Sequence, residues 1–310
     1  MSSIEKAIER LAKSKAASAK QSDSAASNVE SASESNASAV KQMPAHADLS
    51  ATAPASSQTK KPSDTKEKVK RNNKITLDYK ALSALGYAVP DTEYKQLAEE
   101  YRIIKRPVVM NAFGKGAAPI EHGNLISIAS SLPSEGKTFT ALNLGLSIAS
   151  EMDATVLLID GDVIKASLSR LLGVQTNRGL NDLLEDPDCS VNDVILDTQN
   201  PKLKIIPAGT RSSKSTELLA SKAMEHLLTE LAERYSDRII LFDSPPILAT
   251  SEASVLNHLM GQVLLVVEAG NTPVDAVKDS LSRLDENKAI GLLLNKSRHS
   301  KVGNYFGTYY

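Results

Sequence analysis

Leu125-Ile-Ser-Ile-Ala129, then Ser131-Leu-Pro-Ser-Glu-Gly-Lys-Thr138, then the apolar run from Phe139 to Ala149 read as strand, loop and helix. That is the order in which a phosphate-binding loop is built. Gly136 lets the backbone approach a phosphate, and the N–H groups around the helix start, from Ser134 and Glu135 to Phe139, point at it. Lys137 reaches the β and γ oxygens, and Thr138 can hold Mg²⁺. Ser131 stands where the generic loop has its first glycine, and Pro133 and Glu135 occupy its middle. A bare Gly-Lys-Thr can also cap a helix by chance. The strand before it and the acidic strand ends after it favour a nucleoside triphosphate.

Outward from the loop, apolar strands are predicted near 124–130, 154–160, 203–207, 238–243, 262–268 and 289–295. Helices are predicted near 137–150, 178–184, 214–234, 250–258 and 273–285. The alternation implies an α/β fold, a mostly parallel sheet with helices on both faces in three layers. Val263-Leu-Leu-Val-Val267 and Ile290-Gly-Leu-Leu-Leu294 are near-continuous apolar runs, as strands buried on both sides require. Before the loop, a helix is predicted from Asp91 as N-cap to about Arg106, ending before Pro107. Tyr94, Leu97, Tyr101 and Ile104 form its apolar stripe, while Glu99, Arg102 and Arg106 share a charged face that is either solvated or turned to a neighbouring subunit.

Two apolar strands end in acid. Thr155-Val-Leu-Leu-Ile-Asp160 is followed by Asp162, and Arg238-Ile-Ile-Leu-Phe-Asp243 runs into Ser244-Pro-Pro246. Ligand sites of open α/β sheets lie beyond the carboxyl ends of the strands. Three carboxylates are therefore expected beside Lys137 and Thr138. Mg²⁺ takes oxygen ligands and keeps several waters, so Thr138 with one or two of these aspartates is a fitting shell. A remaining carboxylate can serve as base for an attacking hydroxyl.

The 310 residues carry a net charge of −1, which gives no support to a nucleic-acid binder. Residues 1–78 contain no Phe, Tyr or Trp, and 14–78 read as a disordered Ala/Ser/Lys-rich linker. Seven basic residues between Lys60 and Lys74 face only Asp64 and Glu67, as a solvated linker end or a segment near an anionic surface. Ile4, Ile8 and Leu11 mark a short amphipathic helix over 1–13, either a docking helix or a frayed turn. The single Cys189 excludes an internal disulfide, and the five histidines are scattered without ligand spacing. No apolar run reaches the length of a membrane span, so the chain is expected in the cytoplasm. The folded domain is expected over 79–298, followed by a flexible tail, 299–310.

Ser130 to Thr138, Val156-Leu-Leu-Ile-Asp-Gly-Asp162 and Ile239-Ile-Leu-Phe-Asp-Ser-Pro-Pro246 together resemble the Walker A, Walker A′ and Walker B motifs of bacterial tyrosine kinases. The resemblance covers about residues 91–310. It implies a P-loop fold that uses ATP and Mg²⁺, with Lys137 on phosphate and Thr138, Asp162 and Asp243 around the metal. Asp160 or Asp162 is the base toward tyrosine, with Asp160 favoured. Asn295 resembles an adenine-contacting asparagine, though a strand-end amide would look the same. Tyr305, Tyr309 and Tyr310, three of the chain's eight tyrosines, match the family's C-terminal phosphoacceptor cluster.

Glu99, Arg102 and Lys105, with Arg106 nearby, are similar to the family's E-x-x-R-x-x-R subunit-interface motif, lysine replacing the last arginine. The run Glu99 to Pro107, the Ser3-Ile-Glu-Lys-Ala7 opening and the polar linker look closest to the exosortase-associated autokinases. That subgroup implies a membrane-embedded chain-length determinant protein as partner, a ring-like homo-oligomer phosphorylating in trans, and a place at the inner face of the membrane. After Asp162 the family's arginine and proline are replaced by Val163-Ile-Lys-Ala166. A partitioning-type ATPase is the main competing class, but its second loop lysine would fall at Leu132. A catalytically weak scaffold is the third.

Overall fold

A computed structural model describes residues 73–90, 93–235 and 237–297. The expected helix at 1–13, most of the linker, Asp91 and the tail with Tyr305, Tyr309 and Tyr310 lie outside these residues.

A seven-stranded sheet carries the fold. In chain order its strands are β1 (Leu125–Ser130), β2 (Thr155–Asp160), β3 (Leu196–Asp197), β4 (Leu203–Ile206), β5 (Arg238–Asp243), β6 (Gln262–Glu268) and β7 (Ala289–Asn295). They lie side by side as β3-β4-β2-β5-β1-β6-β7, and every pairing is parallel except β3 with β4. The two-residue β3 has no apolar run of its own to announce it in the sequence. It forms because Asp197 pairs with Lys204 across the edge and its backbone exchanges hydrogen bonds with Asn73 and Ile75.

Side chains alternate between two cores, as period-two strands must. Ile126, Ile128, Val156, Leu158, Ile239 and Leu241 point to one face, with Leu142, Leu144 and Ile148 of helix α3 (Lys137–Ala149). Leu125, Leu157, Ile159, Ile240 and Phe242 point to the other, with Met224, Leu227, Leu228 and Leu231 of α8 (Lys222–Arg234). The remaining helices are α1 (Tyr79–Ala84), α2 (Lys95–Ala112), α4 (Ser167–Leu171), α5 (Leu180–Glu185), α6 (Val191–Val194), α7 (Ser215–Leu219), α9 (Ser251–His258) and α10 (Val274–Ser282).

Besides the edge strand β7, where Leu292 and Leu294 are exposed and not buried on both sides as the apolar run implied, three local expectations are corrected. The single helix expected over 214–234 is two, α7 and α8, because the Ser221 hydroxyl accepts the Met224 N–H and starts a new helix. The described residues 73–78, assigned to the linker, are folded onto the domain: Ile75 N–H donates to the Asp197 carbonyl, and Leu77 is buried. Thirdly, α2 starts at Lys95, with Tyr94 and not Asp91 at its N-cap position, and it does not stop before Pro107 but continues to Ala112. An interior proline loses one hydrogen bond and crowds the preceding turn, at about 3 kcal/mol. Here the freed carbonyl belongs to Ile103, a residue 54% exposed on the solvent side of the helix. Beyond the proline, Val108 is buried and Val109 and Ala112 pack on the core, which offsets the cost.

Candidate active site

The register places the acids. Asp160 ends β2 directly opposite Asp243 at the end of β5, so both carboxylates reach the sheet's carboxyl edge on the α3 side. The loop from Ser131 to Gly136 sits above them. Ser134 has φ 71° and Gly136 φ 99°, left-handed values that glycine adopts without strain and serine only when held. A β-carbon on Gly136 would stand 2.0 Å from the Asn295 amide nitrogen, so this position has no room for a side chain either.

Lys137 and Thr138 turn inward. Lys137 Nζ donates to Asp162 Oδ2 at 2.8 Å and lies 3.7 Å from Asp243 Oδ1, and the Thr138 hydroxyl donates to Asp243 Oδ2 at 2.7 Å. Burial works to lower the Lys137 pKa, but Asp243, Asp162 and Asp160 together outweigh it and the net shift is upward. Asp243 is wholly buried. Its carboxyl is raised by desolvation, against the opposing pull of Lys137 and Thr138.

Asp160 has a different setting from Asp162. Its Oδ2 accepts both the N–H and the hydroxyl of Ser169, at 2.8 and 2.7 Å, while its Oδ1 is buried with no hydrogen-bond partner. Desolvation first, and then the Asp243 charge, push its carboxyl up to about 7. Asp162 lies past the strand in a turn: besides Lys137, its Oδ1 accepts the Lys165 N–H, and its carbonyl accepts that of Ala166. Ala166, where the family resemblance expects proline, has φ 45° and opens α4.

The other predicted residues divide. Glu135 is buried with Oε2 on the Leu132 N–H at 2.7 Å and Oε1 on the Thr272 hydroxyl. Phe139 packs against Tyr87 with ring centroids 4.9 Å apart and the rings tilted by 40°. Asn295 donates to the Glu135 carbonyl at 2.8 Å, which fastens the phosphate loop to the end of β7. Sequence reasoning missed Ser169 and Thr272, which belong to no motif and reach the site only through the fold. Among the described residues no three His, Cys, Asp or Glu side chains are grouped as a protein-only metal site. The donor set fits a Mg²⁺ held jointly by Thr138, one or two carboxylates, substrate phosphates and water.

The four predicted interface residues lie elsewhere, on α2. Glu99 and Arg102 pair at 2.7 Å on the surface, and Arg106 is exposed. Together they border a groove of about 980 Å³ that includes Ile103, Pro107 and Met110 and lies away from the phosphate loop. Lys105 is turned inward instead: its ammonium donates to the Ser147 carbonyl at 2.8 Å and meets Glu151 at 2.6 Å, at the end of α3. Replacing Lys105 by Met is therefore expected to destabilise the fold by about 1–3 kcal/mol, the usual effect of removing a charged donor from a part-buried carbonyl. A urea unfolding midpoint equal to the parent's would refute that placement.

Residues 123–288, more than half of the chain, match the family model of the AAA domain. The tyrosine-protein kinase YwqD of Bacillus subtilis is 30% identical over 224 residues, covering 70% of this chain and 90% of that protein. The chain belongs to the bacterial tyrosine kinases. Succinoglycan biosynthesis transport protein ExoP of Rhizobium meliloti is 32% identical over 76% of this chain, but only 30% of its own length is matched. The chain thus spans about a quarter to a third of the first curated relatives it matches. The solved kinase domain of Escherichia coli tyrosine kinase ETK superposes with a TM-score of 0.54 at 26% identity, over 66% of this chain and 78% of that one. This family member has a mostly parallel P-loop sheet, and its P-loop sits where the strand order reverses around β1, at the switch point of such sheets.

Proposed function

We propose that this chain is an ATP-dependent protein-tyrosine kinase that phosphorylates Tyr305, Tyr309 and Tyr310 on a neighbouring copy and thereby regulates exopolysaccharide polymerisation or export. The observation that carries the reading is the inward pairing of Lys137 and Thr138 with Asp162 and Asp243 at the mouth of the loop. With ATP in place, Lys137 swings from Asp162 to the β and γ oxygens. Thr138, Asp162 and Asp243 are then free to hold Mg²⁺. When bound, Mg²⁺ supplies charge neutralisation on the phosphates. The loop N–H groups from Ser134 to Phe139 fix the phosphates in line, and Asn295 keeps its Oδ1 for the adenine ring.

Asp160 takes the tyrosine proton at Oδ1 while Ser169 holds Oδ2. The phenolate oxygen bonds to the γ-phosphorus, the bond to the β–γ bridging oxygen breaks, and ADP leaves. A carboxyl near 7 is matched to proton transfer at neutral pH. The hydroxyl reaches Oδ1 only when the tail is seated, since catalytic hydrogen bonds often close only in the complex. Glu99, Arg102 and Arg106 would form the contact between copies in a ring, with Lys105 supporting from beneath.

The exosortase-associated subgroup supplies the partner, a membrane-embedded chain-length determinant protein that activates the kinase and holds it at the inner face of the membrane. No helix among the described residues is long and apolar enough to cross a membrane, which is compatible with attachment through such a partner. ExoP, a relative named for succinoglycan biosynthesis transport, supports the polysaccharide context.

Purified protein incubated with ATP and Mg²⁺ is expected to gain phosphotyrosine, and a variant with Phe at Tyr305, Tyr309 and Tyr310 is expected to lose most of it. Absence of signal from the parent with the membrane partner added, or undiminished signal in the triple variant, refutes the respective part.

A further inference from the structure

Three tethers reach the phosphate loop from behind, and all come from the ends of β6 and β7. The Thr272 hydroxyl donates to Glu135 and itself accepts the Glu268 N–H at 3.0 Å. The Asn295 amide holds the Glu135 carbonyl. The third is Lys296, whose ammonium donates to the Ser134 carbonyl at 2.8 Å and pairs with Glu268 Oε2 at 3.0 Å. Lys296 itself has φ 57°, a turn that folds its side chain back over the loop. Ser134 is a non-glycine residue in the left-handed region, a conformation that persists only where its surroundings impose it. A bond that engages the Ser134 carbonyl from outside fixes the adjoining peptide planes and so determines where the neighbouring N–H groups point.

We propose that Lys296, oriented by Glu268, is a positioning residue of the phosphate loop: by holding the Ser134 carbonyl it keeps the loop's N–H groups turned toward the nucleotide phosphates. This rests on the nucleotide-binding reading above and goes beyond it, since neither residue lies in a phosphate-loop motif and neither need touch the ligand. The ion pair is half-exposed, so its effect is moderate, and it acts on the loop's conformation, not on the stability of the domain.

The test uses the full chain and titrates Mg·ADP calorimetrically. Lys296→Met and Lys296→Gly are each expected to weaken ADP binding about fivefold to tenfold, the loss of one partly screened charged hydrogen bond. Glycine accepts a φ of 57° without strain, so agreement between the two assigns the effect to the side chain. Lys296→Arg is expected to remain within about twofold of the parent, and Lys296→Met and Lys296→Arg to share its melting temperature without nucleotide. Unchanged ADP affinity in Lys296→Met overturns the proposal. So does a loss that arginine fails to rescue, or one accompanied by a parallel fall in melting temperature. A parent that binds no ADP overturns the nucleotide reading itself, and the positioning role with it.

Discussion

Replacing Lys137 by Met is expected to lower phosphotyrosine formation at least 100-fold at saturating ATP. The ammonium is the only side-chain cation within 4 Å of the buried Asp162 and Asp243 carboxylates among the described residues, and in the proposed mechanism it moves onto the γ-phosphoryl group. Preorganised donors aimed at developing charge are each associated with roughly 100-fold to 1000-fold in rate. The same substitution acts on the fold. Removing one member of a buried ion pair costs about 3–5 kcal/mol when the remaining charge is left unpaired.

Here the remaining groups are carboxylates, which can take up a proton instead. The Asp243 carboxyl is already raised by burial and held back by Lys137, so its pKa rises further in the variant. The variant's deficit in stability should thus be smaller near pH 5 than near pH 8. The lysine's own pKa is raised; its stabilising contribution is complete below its unfolded pKa of 10.5 and is lost only above that, so it does not blur a comparison in this range. Urea unfolding at the two pH values, without Mg²⁺, checks the trend. Equal deficits at both would contradict the inward pairing.

Asp160→Asn is expected to separate activity from stability in opposite directions. As the proposed base its loss should lower phosphotransfer by about 100-fold to 10,000-fold. Its ionised form, however, is disfavoured by the fold: the carboxyl rises from 3.8 to about 7 through burial first and Asp243 second. The folded protein therefore binds a proton that the unfolded chain releases between those values, and stability falls as pH rises from about 4 to about 7. At about 1.4 kcal/mol per unit the loss has an upper bound of about 4 kcal/mol. Asparagine keeps an oxygen for both Ser169 donors and carries no charge. Relative to the parent, the variant should gain about 2 kcal/mol or more between pH 4 and pH 8. A parent and variant whose metal-free stabilities run parallel over that range would show that Asp160 is ionised at no cost in the fold.

Much of this was legible in the residues, for a definite reason. The strand, loop and helix around Gly136 announce themselves because φ above zero, a helix N-terminus and an apolar run each demand particular side chains in immediate succession. Asp160 and Asp243 were readable as strand ends, since the carboxyl edge is where the apolar period stops. Lys105 was legible as a member of a helical face but not as buried. Helical spacing gives a direction around the axis, and only the packing of α2 on α3 put the Ser147 carbonyl and Glu151 within its reach. Pro107 shows the same limit: the local rule ended the helix, and the burial of Val108 outweighed it.

The sequence by itself determined the phosphate loop, the parallel sheet and the kinds of side chain at its mouth, because these follow from short-range geometry. The tertiary structure alone decided the different surroundings of the three aspartates. Asp160 and Asp162 are two residues apart, yet one is tied to Ser169 and the other to Lys137. It also decided that Thr272, Asn295 and Lys296, more than 130 residues beyond the loop, hold it from behind. Such contacts depend on which strands become neighbours, and the β6–β1–β5–β2 order that brings them together is set by burial of these central strands between the helices, not by any segment of the chain.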